Sequence, residues 1–117
     1  MGKRRFTEGS WQTDPWFRAL VTALRLLKSE SDIAAFLRDI ATLSELQAWS
    51  ERLEVARQLQ AGKSYREVAI NTGASTATVT RVAKFLENGS GYRSVLGGQN
   101  YHRHSSSLRG ERMASKK

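Results

Sequence analysis

Cysteine and long apolar runs are both missing from this sequence of 117 residues. Because there is no cysteine, the chain forms no disulfide and offers no thiolate ligand to a metal, as is usual in a reducing cytosol. A membrane-spanning helix needs about 20 consecutive apolar residues, and no segment approaches that length. The stretch from Phe6 to Trp16, after the basic N-terminus, lacks the apolar core of a signal peptide. We therefore expect a soluble cytoplasmic protein with no membrane partner.

A catalytic arrangement of residues is also missing. No Ser-His-Asp or Cys-His set is present, and the acidic residues are spaced as helix-surface residues rather than clustered for a catalytic metal. The two histidines, His102 and His104, have no carboxylate beside them. We therefore predict that the protein is not an enzyme and holds no metal.

Positive charge is what the sequence has in excess. It contains 19 Lys and Arg against 11 Asp and Glu, which gives a formal net charge of +8. Such a balance favours a polyanionic partner, although charge alone does not separate nucleic acid from an acidic membrane surface. The hydrophobic fraction of 39% is ordinary for a folded protein, and the length indicates one domain.

Residues 64–86 have the pattern of two short helices joined by a tight turn. Ser64 and Glu67 can form a capping box that begins the first helix. Gly73 ends this helix at a position where a left-handed backbone favours glycine, and Ser75 caps the second helix. The apolar residues of the second helix lie on one stripe, and they are Val79, Val82, Ala83 and Leu86.

The spacing within this segment predicts a helix-turn-helix. Ala69 is the small residue at which the first helix crosses the second, and Val79 fills the crossing, with Gly73 at the turn between them. Val82 continues this packing, so we expect its side chain to point inward. The opposite face of the second helix carries short polar side chains and cations, which can enter a DNA major groove. The alternative is a capped helical hairpin with a merely polar surface.

Three further helices are predicted before this segment, each from a capping residue and an apolar stripe. Their expected bounds are Thr13 or Asp14 to Leu27, Ser31 to Ile40, and Thr42 or Ser44 to Gly62. After the helix stop at Asn88 and Gly89, residues 92–96 are expected to form a short final turn. The predicted fold class is therefore all-α, with about five or six helices.

We divide the chain into three parts. Residues 1–12 are predicted to be a basic flexible arm, residues 13–96 a helical DNA-binding domain, and residues 97–117 a disordered basic tail without apolar periodicity. The three leading helices carry more apolar surface than a small monomer can bury. We therefore predict a homodimer, in which two recognition helices can lie about one DNA turn apart.

Residues 52–82, with the sequence RLEVARQLQAGKSYREVAINTGASTATVTRV, resemble the Trp repressor family and in particular its YerC/YecD branch. The TGAST turn, the TVTRV run after it and the NGSGY segment at 88–92 carry this resemblance. It covers residues 43–96, and helix order alone extends it over 14–42. The resemblance implies an intertwined all-α homodimer that regulates bacterial transcription, acting as a repressor on the nucleoid.

The resemblance also implies a candidate effector site. In Trp repressors two arginines hold the indole ring of tryptophan, and Arg52 and Arg81 occupy the matching positions here. The next position is glycine in the tryptophan-binding members and Val82 in this chain, and its branched side chain would occupy space beside the indole. We therefore expect no cofactor. L-tryptophan is the co-repressor that the resemblance suggests, and Val82 argues against it. The two arginines would instead make structural salt bridges or phosphate contacts.

DNA contacts are predicted from the polar face of the helix-turn-helix and from the resemblance. Arg66 matches a DNA-contacting position of the family, and Thr76, Ala77 and Thr80 match the base-facing start of its recognition helix. The full predicted set is Lys63, Arg66, Ser75, Thr76, Ala77, Thr78, Thr80, Arg81 and Lys84. Of these, we assign Lys63, Thr78, Arg81 and Lys84 to phosphates.

The functional prediction is a homodimeric, sequence-specific regulator that binds double-stranded DNA at a palindromic site. Two alternatives remain open at this point. GKSYREVA at 62–69 also resembles the opening of transposase DNA-binding hairpins, so the chain could be a DNA-binding module of a transposase or recombinase system. It could also be a helical adaptor that binds protein or RNA. Salt-dependent binding to duplex DNA would be weak in an adaptor.

Overall fold

A computed structural model describes residues 5–97, which fold into six α-helices without a strand. The helices are α1 (Pro15–Leu26), α2 (Glu30–Ile40), α3 (Leu43–Gln60), α4 (Tyr65–Thr72), α5 (Thr76–Asn88) and α6 (Gly91–Leu96). The predicted all-α class is confirmed. Residues 98–117 of the predicted tail, with His102 and His104, lie outside the described residues, as do residues 1–4 of the predicted arm. Between residues 5 and 97, no helix is both long and apolar enough to cross a membrane.

The first of two compact units ends at Leu43 and contains α1 and α2. Helix α1 begins as predicted, because the Asp14 carboxylate accepts the Trp16 N–H at 2.8 Å and Pro15 takes the first helical position. No residue of α1 or α2 is buried in this structure. Their apolar stripes therefore remain open.

Aromatic contacts place part of the N-terminal segment on α1. The rings of Phe6 and Trp11 pack edge to face on Phe17, with ring centroids 6.1 and 5.2 Å apart. A turn between them is closed by the Trp11 N–H, which donates to the Thr7 carbonyl at 3.0 Å. Residues 6–11 therefore have a defined place on α1, and the flexibility predicted for residues 1–12 as a whole stays a prediction.

Helix α2 begins two residues earlier than predicted. We expected Ser31 to cap it, but the cap is Ser29, whose hydroxyl accepts the Asp32 N–H at 3.1 Å. Ser29 has the extended backbone that a capping residue needs, with φ of −132° and ψ of 158°, whereas Ser31 already lies inside the helix. The prediction was wrong because two serines two residues apart offer the same capping chemistry, and the backbone decides between them.

The second compact unit begins at Ser44 and contains the helix-turn-helix. The predicted capping box is present, since the Ser64 N–H donates to the Glu67 carboxylate at 3.0 Å and the Glu67 N–H donates to the Ser64 hydroxyl at 3.1 Å. Gly73 ends α4 in the left-handed conformation, with φ of 77°, and Ser75 caps α5. These predictions are confirmed.

A threonine hydroxyl strengthens the turn. The Thr72 hydroxyl donates to the Val68 carbonyl at 2.8 Å and accepts the Ala74 N–H at 3.1 Å. It therefore gives the amide inside the turn a partner that it would otherwise have to find in water, and ties that amide to the last turn of α4.

A small valine-rich core fixes the rotation of each helix in this unit. It consists of Val55, Ala56, Val68, Ala74, Val79 and Val82, with Leu59, Ala69, Tyr92 and Leu96 packed against it. Val82 is 1% exposed and points inward, as predicted. Burying a valine side chain is worth about 1.5 kcal/mol or more, so rotating α5 out of this packing would cost several such contacts. The opposite face of α5 is thereby held outward.

The left-handed turn predicts a difference between two glycines. Gly73→Ala should lower the free energy of unfolding by about 1–2 kcal/mol, because alanine resists a positive φ. Gly91→Ala is the matched control: its added Cβ meets no atom within 4 Å either, and its backbone is not left-handed. Urea unfolding followed by circular dichroism measures both variants. Equal losses would contradict the role given to this turn.

Candidate nucleic-acid interface

The outward face of α5 gathers five of the predicted DNA-contacting residues in one surface trough. The trough has a volume of about 600 Å³, and Phe85 completes its lining. All five predicted residues are exposed, and they are Thr76, Ala77, Thr80, Arg81 and Lys84. The face combines hydroxyl and methyl groups near the start of the helix with two cations further along. Such a face can touch base edges and phosphates at the same time.

Arg66 reaches the same region from α4. It is exposed and lines a second groove with Thr76 and Thr80, so the structure brings this predicted residue beside the start of α5. Lys63 is exposed in the segment between α3 and α4. Arg66, Arg81 and Lys84 give the surface its positive charge, which suits a phosphate backbone.

Ser75 and Thr78 serve the structure of the helix start. The Ser75 hydroxyl accepts the Thr78 N–H at 3.0 Å and donates to the Thr78 hydroxyl at 3.1 Å. Thr78 is half-buried, whereas Ser75 is exposed. These two residues hold the first turn of α5 in place, and their predicted contacts to DNA stay a prediction.

A cavity lies behind the recognition face. It has a volume of about 490 Å³ and is lined by Arg52, Leu53, Arg81, Val82, Phe85, Gly89, Gly91, Tyr92 and Val95. The structure therefore brings the two arginines of the predicted effector site onto one cavity. Val82 forms part of its wall, as the sequence indicated. Arg81 and Phe85 line both this cavity and the trough on α5.

Phe85 is a site residue that the sequence analysis missed. The Arg81 guanidinium lies over its ring, 4.7 Å from the centroid, in a cation–π contact. The aromatic ring thus holds the arginine at the border between the cavity and the trough. The signal was available, since residues four apart on a helix face each other. It went unused because Phe85 is not part of the apolar stripe.

Polar side chains connect α4 to α3 and so help to position the recognition helix. The Asn71 amide donates to the Gln58 side-chain oxygen at 3.0 Å, and the Gln58 amide donates to Glu54 at 2.9 Å. Arg57 donates to the same carboxylate at 2.9 and 2.6 Å. Gln58 is buried, so leaving one of its polar atoms without a partner would be costly. A sequence cannot show this network, because Gln58 and Asn71 meet only after folding.

Hydrogen bonds control the ionisation of two glutamates here. Those from Arg57 and then Gln58 lower the pKa of Glu54 to about 2, against the ordinary value of 4.5. The Ser64 N–H and hydroxyl lower the pKa of Glu67 in the capping box. Both carboxylates are thus held in the charged form that their partners need.

A helix-turn-helix with a basic exposed second helix is the architecture of a DNA-binding protein. The family model of the Trp repressor protein matches residues 16–100, and the chain belongs to the Trp repressor family. A protein of Bacillus subtilis (strain 168) described as uncharacterized protein YerC is 40% identical over 70 residues, which cover 60% of this chain and 67% of that protein.

Two crystal structures resemble the fold. A candidate Trp repressor from Staphylococcus aureus is 29% identical with a TM-score of 0.71, over 82% of this chain and 97% of that one. A TrpR like protein from Eubacterium eligens ATCC 27750 is 32% identical with a TM-score of 0.67, over 80% of this chain and 93% of that one. The predicted resemblance to the Trp repressor family and its YerC branch is confirmed.

Family membership establishes the general function. The chain is a helix-turn-helix DNA-binding regulator, and the prediction that it is not an enzyme is confirmed. Across residues 5–97, no group of three or more His, Cys, Asp or Glu side chains is placed to hold a metal ion.

The pKa of Glu54 predicts a pH dependence of stability. Because the folded pKa lies below the ordinary value, the stabilisation is present above about pH 4.5 and is lost as the pH falls toward 2. Glu54→Gln should therefore reduce the free energy of unfolding at pH 7. The loss should be below about 1 kcal/mol, because the Glu54 side chain is 42% exposed to screening solvent.

Urea unfolding at a series of pH values measures this effect. The gap between wild type and Glu54→Gln should narrow from pH 4.5 to pH 2. Glu87→Gln, at an exposed position of α5, is the control and should show no comparable gap. A gap that stays constant down to pH 2 would contradict the assignment.

Proposed function

We propose that this protein is a sequence-specific transcriptional regulator that binds a palindromic DNA site as a homodimer and acts as a repressor. The observation that carries the proposal is the outward face of α5, where polar, methyl and cationic groups share one trough. The buried face of the same helix prevents it from rotating away from DNA. A protein with this role would work in the cytoplasm on the nucleoid.

The contacts divide into those that read bases and those that hold phosphates. We assign base edges to Arg66 and the start of α5, which share one groove, because their side chains are short or can form paired hydrogen bonds. The phosphate contacts would come from Lys63 and from Arg81 and Lys84 further along α5. Phosphate contacts add affinity for every sequence, whereas base contacts select one.

Homodimerisation is supported by the open apolar surface of the leading helices. In α1, Trp16 is 65% and Leu26 is 70% exposed, and no residue of α1 or α2 is buried. Large exposed apolar patches usually mark an interface. A second copy would cover this surface and, through two-fold symmetry, place two recognition helices about one DNA turn, roughly 34 Å, apart.

DNA binding should proceed without an effector. Arg52 and Arg81 line one cavity, so it is the place where an effector would bind. The Arg81 guanidinium already lies on the Phe85 ring, and Val82 stands in the cavity wall where the tryptophan-binding members of the family have glycine. Both features argue against an indole in this cavity. We therefore propose a regulator with no cofactor and no tryptophan co-repressor.

Selection of bound sequences from a random duplex library tests the proposed function. The expected result is a palindrome with half-sites about one DNA turn apart, bound by two copies of the chain. Titration of random duplex DNA at two salt concentrations should show affinity that falls as salt rises. Binding that ignores salt and selects no sequence would contradict the proposal and favour an adaptor of protein or RNA.

Base and phosphate contacts should respond differently to alanine substitution. Arg66→Ala and Thr80→Ala should each cost about 1–3 kcal/mol on the selected site and relax base preference. Lys84→Ala should weaken binding to all sequences alike and reduce the slope of log affinity against log salt by about one. Filter binding or fluorescence anisotropy over a salt series measures both. A change of base preference in Lys84→Ala with an unchanged slope would overturn the division of contacts.

Tryptophan should leave DNA affinity unchanged. A ligand shifts a binding equilibrium only as far as it binds one state better than the other. The Arg81 guanidinium that would hold an indole already lies on the Phe85 ring, and Val82 stands beside it in place of glycine. Fluorescence anisotropy with and without millimolar L-tryptophan should give dissociation constants within about twofold of each other. A tightening of about tenfold, typical of allosteric effectors, would show that the cavity accepts tryptophan after all.

A further inference from the structure

The recognition helix has two unlike flanks. On one side of Thr76 and Thr80 lies the trough with Arg81 and Lys84, which is cationic. On the other side lies the groove between α4 and α5, with a volume of about 490 Å³. Its lining is mostly apolar or aromatic and consists of Tyr65, Arg66, Ala69, Ile70, Thr76, Val79 and Thr80. We call it the α4–α5 groove.

Two large side chains of the α4–α5 groove, one aliphatic and one aromatic, are exposed. Ile70 is 71% and Tyr65 is 54% exposed, while Val79 forms a buried floor beside them. Helix α4 already anchors itself through Val68, which is fully buried. An isoleucine left in water gains none of the free energy that burial of its side chain would supply. An occupant that covers Ile70 would recover part of it.

The α4–α5 groove is continuous with the surface that reads DNA. Thr76 and Thr80 line both the groove and the trough, and Arg66 stands in the groove as its one cation. Double-stranded DNA in the trough therefore extends to the edge of the groove. It can present base edges, deoxyribose rings or phosphates there. A phosphate gains little from an apolar wall, and deoxyribose is the same at every position, so only a base edge offers an apolar group that can be selected.

One apolar group protrudes from base edges in the major groove, namely the 5-methyl group of thymine. We propose that the α4–α5 groove receives this methyl group, so that Ile70 and Tyr65 select thymine at one position of each half-site. The inference rests on the proposed function and adds a second kind of readout to it. Arg66 would recognise a neighbouring base through hydrogen bonds. Ile70 would recognise thymine through an apolar contact with its methyl group that excludes water.

The test removes the methyl group from the DNA rather than from the protein alone. In the selected palindrome, each thymine of both half-sites is replaced in turn by uracil, which pairs identically but lacks the methyl group. At one position, wild-type binding should weaken roughly fourfold per half-site, the change expected from losing one buried methyl contact. Fluorescence anisotropy of the full-length chain gives the ratio of the two affinities.

Protein variants then test whether the α4–α5 groove causes the difference in affinity between thymine and uracil. Ile70→Ser should bring the thymine-to-uracil ratio close to one, whereas Ile70→Leu keeps an apolar side chain and should preserve it. Because Ile70 is exposed, neither change should alter the thermal unfolding curve, which circular dichroism checks. Lys84→Ala is the matched control on the cationic flank. It should weaken both duplexes alike and leave the ratio unchanged.

Each outcome decides the matter. A thymine-dependent ratio that Ile70→Ser removes and Lys84→Ala retains supports the inference. If binding depends on salt and on sequence but no thymine-to-uracil change weakens it, the inference is overturned and the proposed function stands. The same conclusion follows if the thymine-to-uracil affinity ratio is unchanged in Ile70→Ser. Absence of salt-dependent duplex binding would overturn both the inference and the proposed function. The α4–α5 groove would then be a candidate site for binding another protein.

Discussion

The crossing of α4 over α5 is the constraint on which the rest of the second unit depends. Val68 from one helix and Val79 from the other are fully buried at this crossing, and Ala74 packs in the turn between them. Gly73 makes the turn short enough for the two helices to meet. Once the crossing forms, α5 has one face inside the core and one face in solvent. Every functional residue on α5 takes its orientation from that division.

A polar network between α3 and α4 also helps to fix the orientation of α5. Glu54, Gln58 and Asn71 form a chain of hydrogen bonds from α3 to α4, in addition to the valine core that α3 shares with α5. Apolar contacts tolerate small rotations, whereas hydrogen bonds lose strength quickly as their angles change. The combination gives the recognition helix a firm support, which a protein that reads base edges needs.

Local chemistry made most of this fold predictable from the sequence. The capping box of Ser64 and Glu67 and the left-handed Gly73 involve residues only a few positions apart, so their spacing carries the information. Where two neighbouring residues offer the same chemistry, the sequence alone was not sufficient. Ser29 and Ser31 could both cap α2, and the wrong one was preferred.

Contacts between distant residues were beyond the reach of sequence patterns. The bond between Asn71 and Gln58, and the packing of Phe6 and Trp11 on Phe17, exist only because folding brings separate segments together. The same limit applies to the candidate site. The polar face of α5 could be predicted from one helix, whereas the α4–α5 groove joins two helices and became visible only in the structure.

The central claim is that the outward face of α5 enters the major groove, and disulfide trapping tests it most directly. Because the chain has no cysteine, a thiol introduced by Thr80→Cys is the single reactive thiol in the protein. Duplexes of the selected site would carry a thiol tether in the major groove, on cytosine N4, or in the minor groove, on guanine N2. The account predicts rapid cross-linking to the major-groove tether and little to the minor-groove one. Equal trapping by both tethers, or trapping by neither, would contradict it.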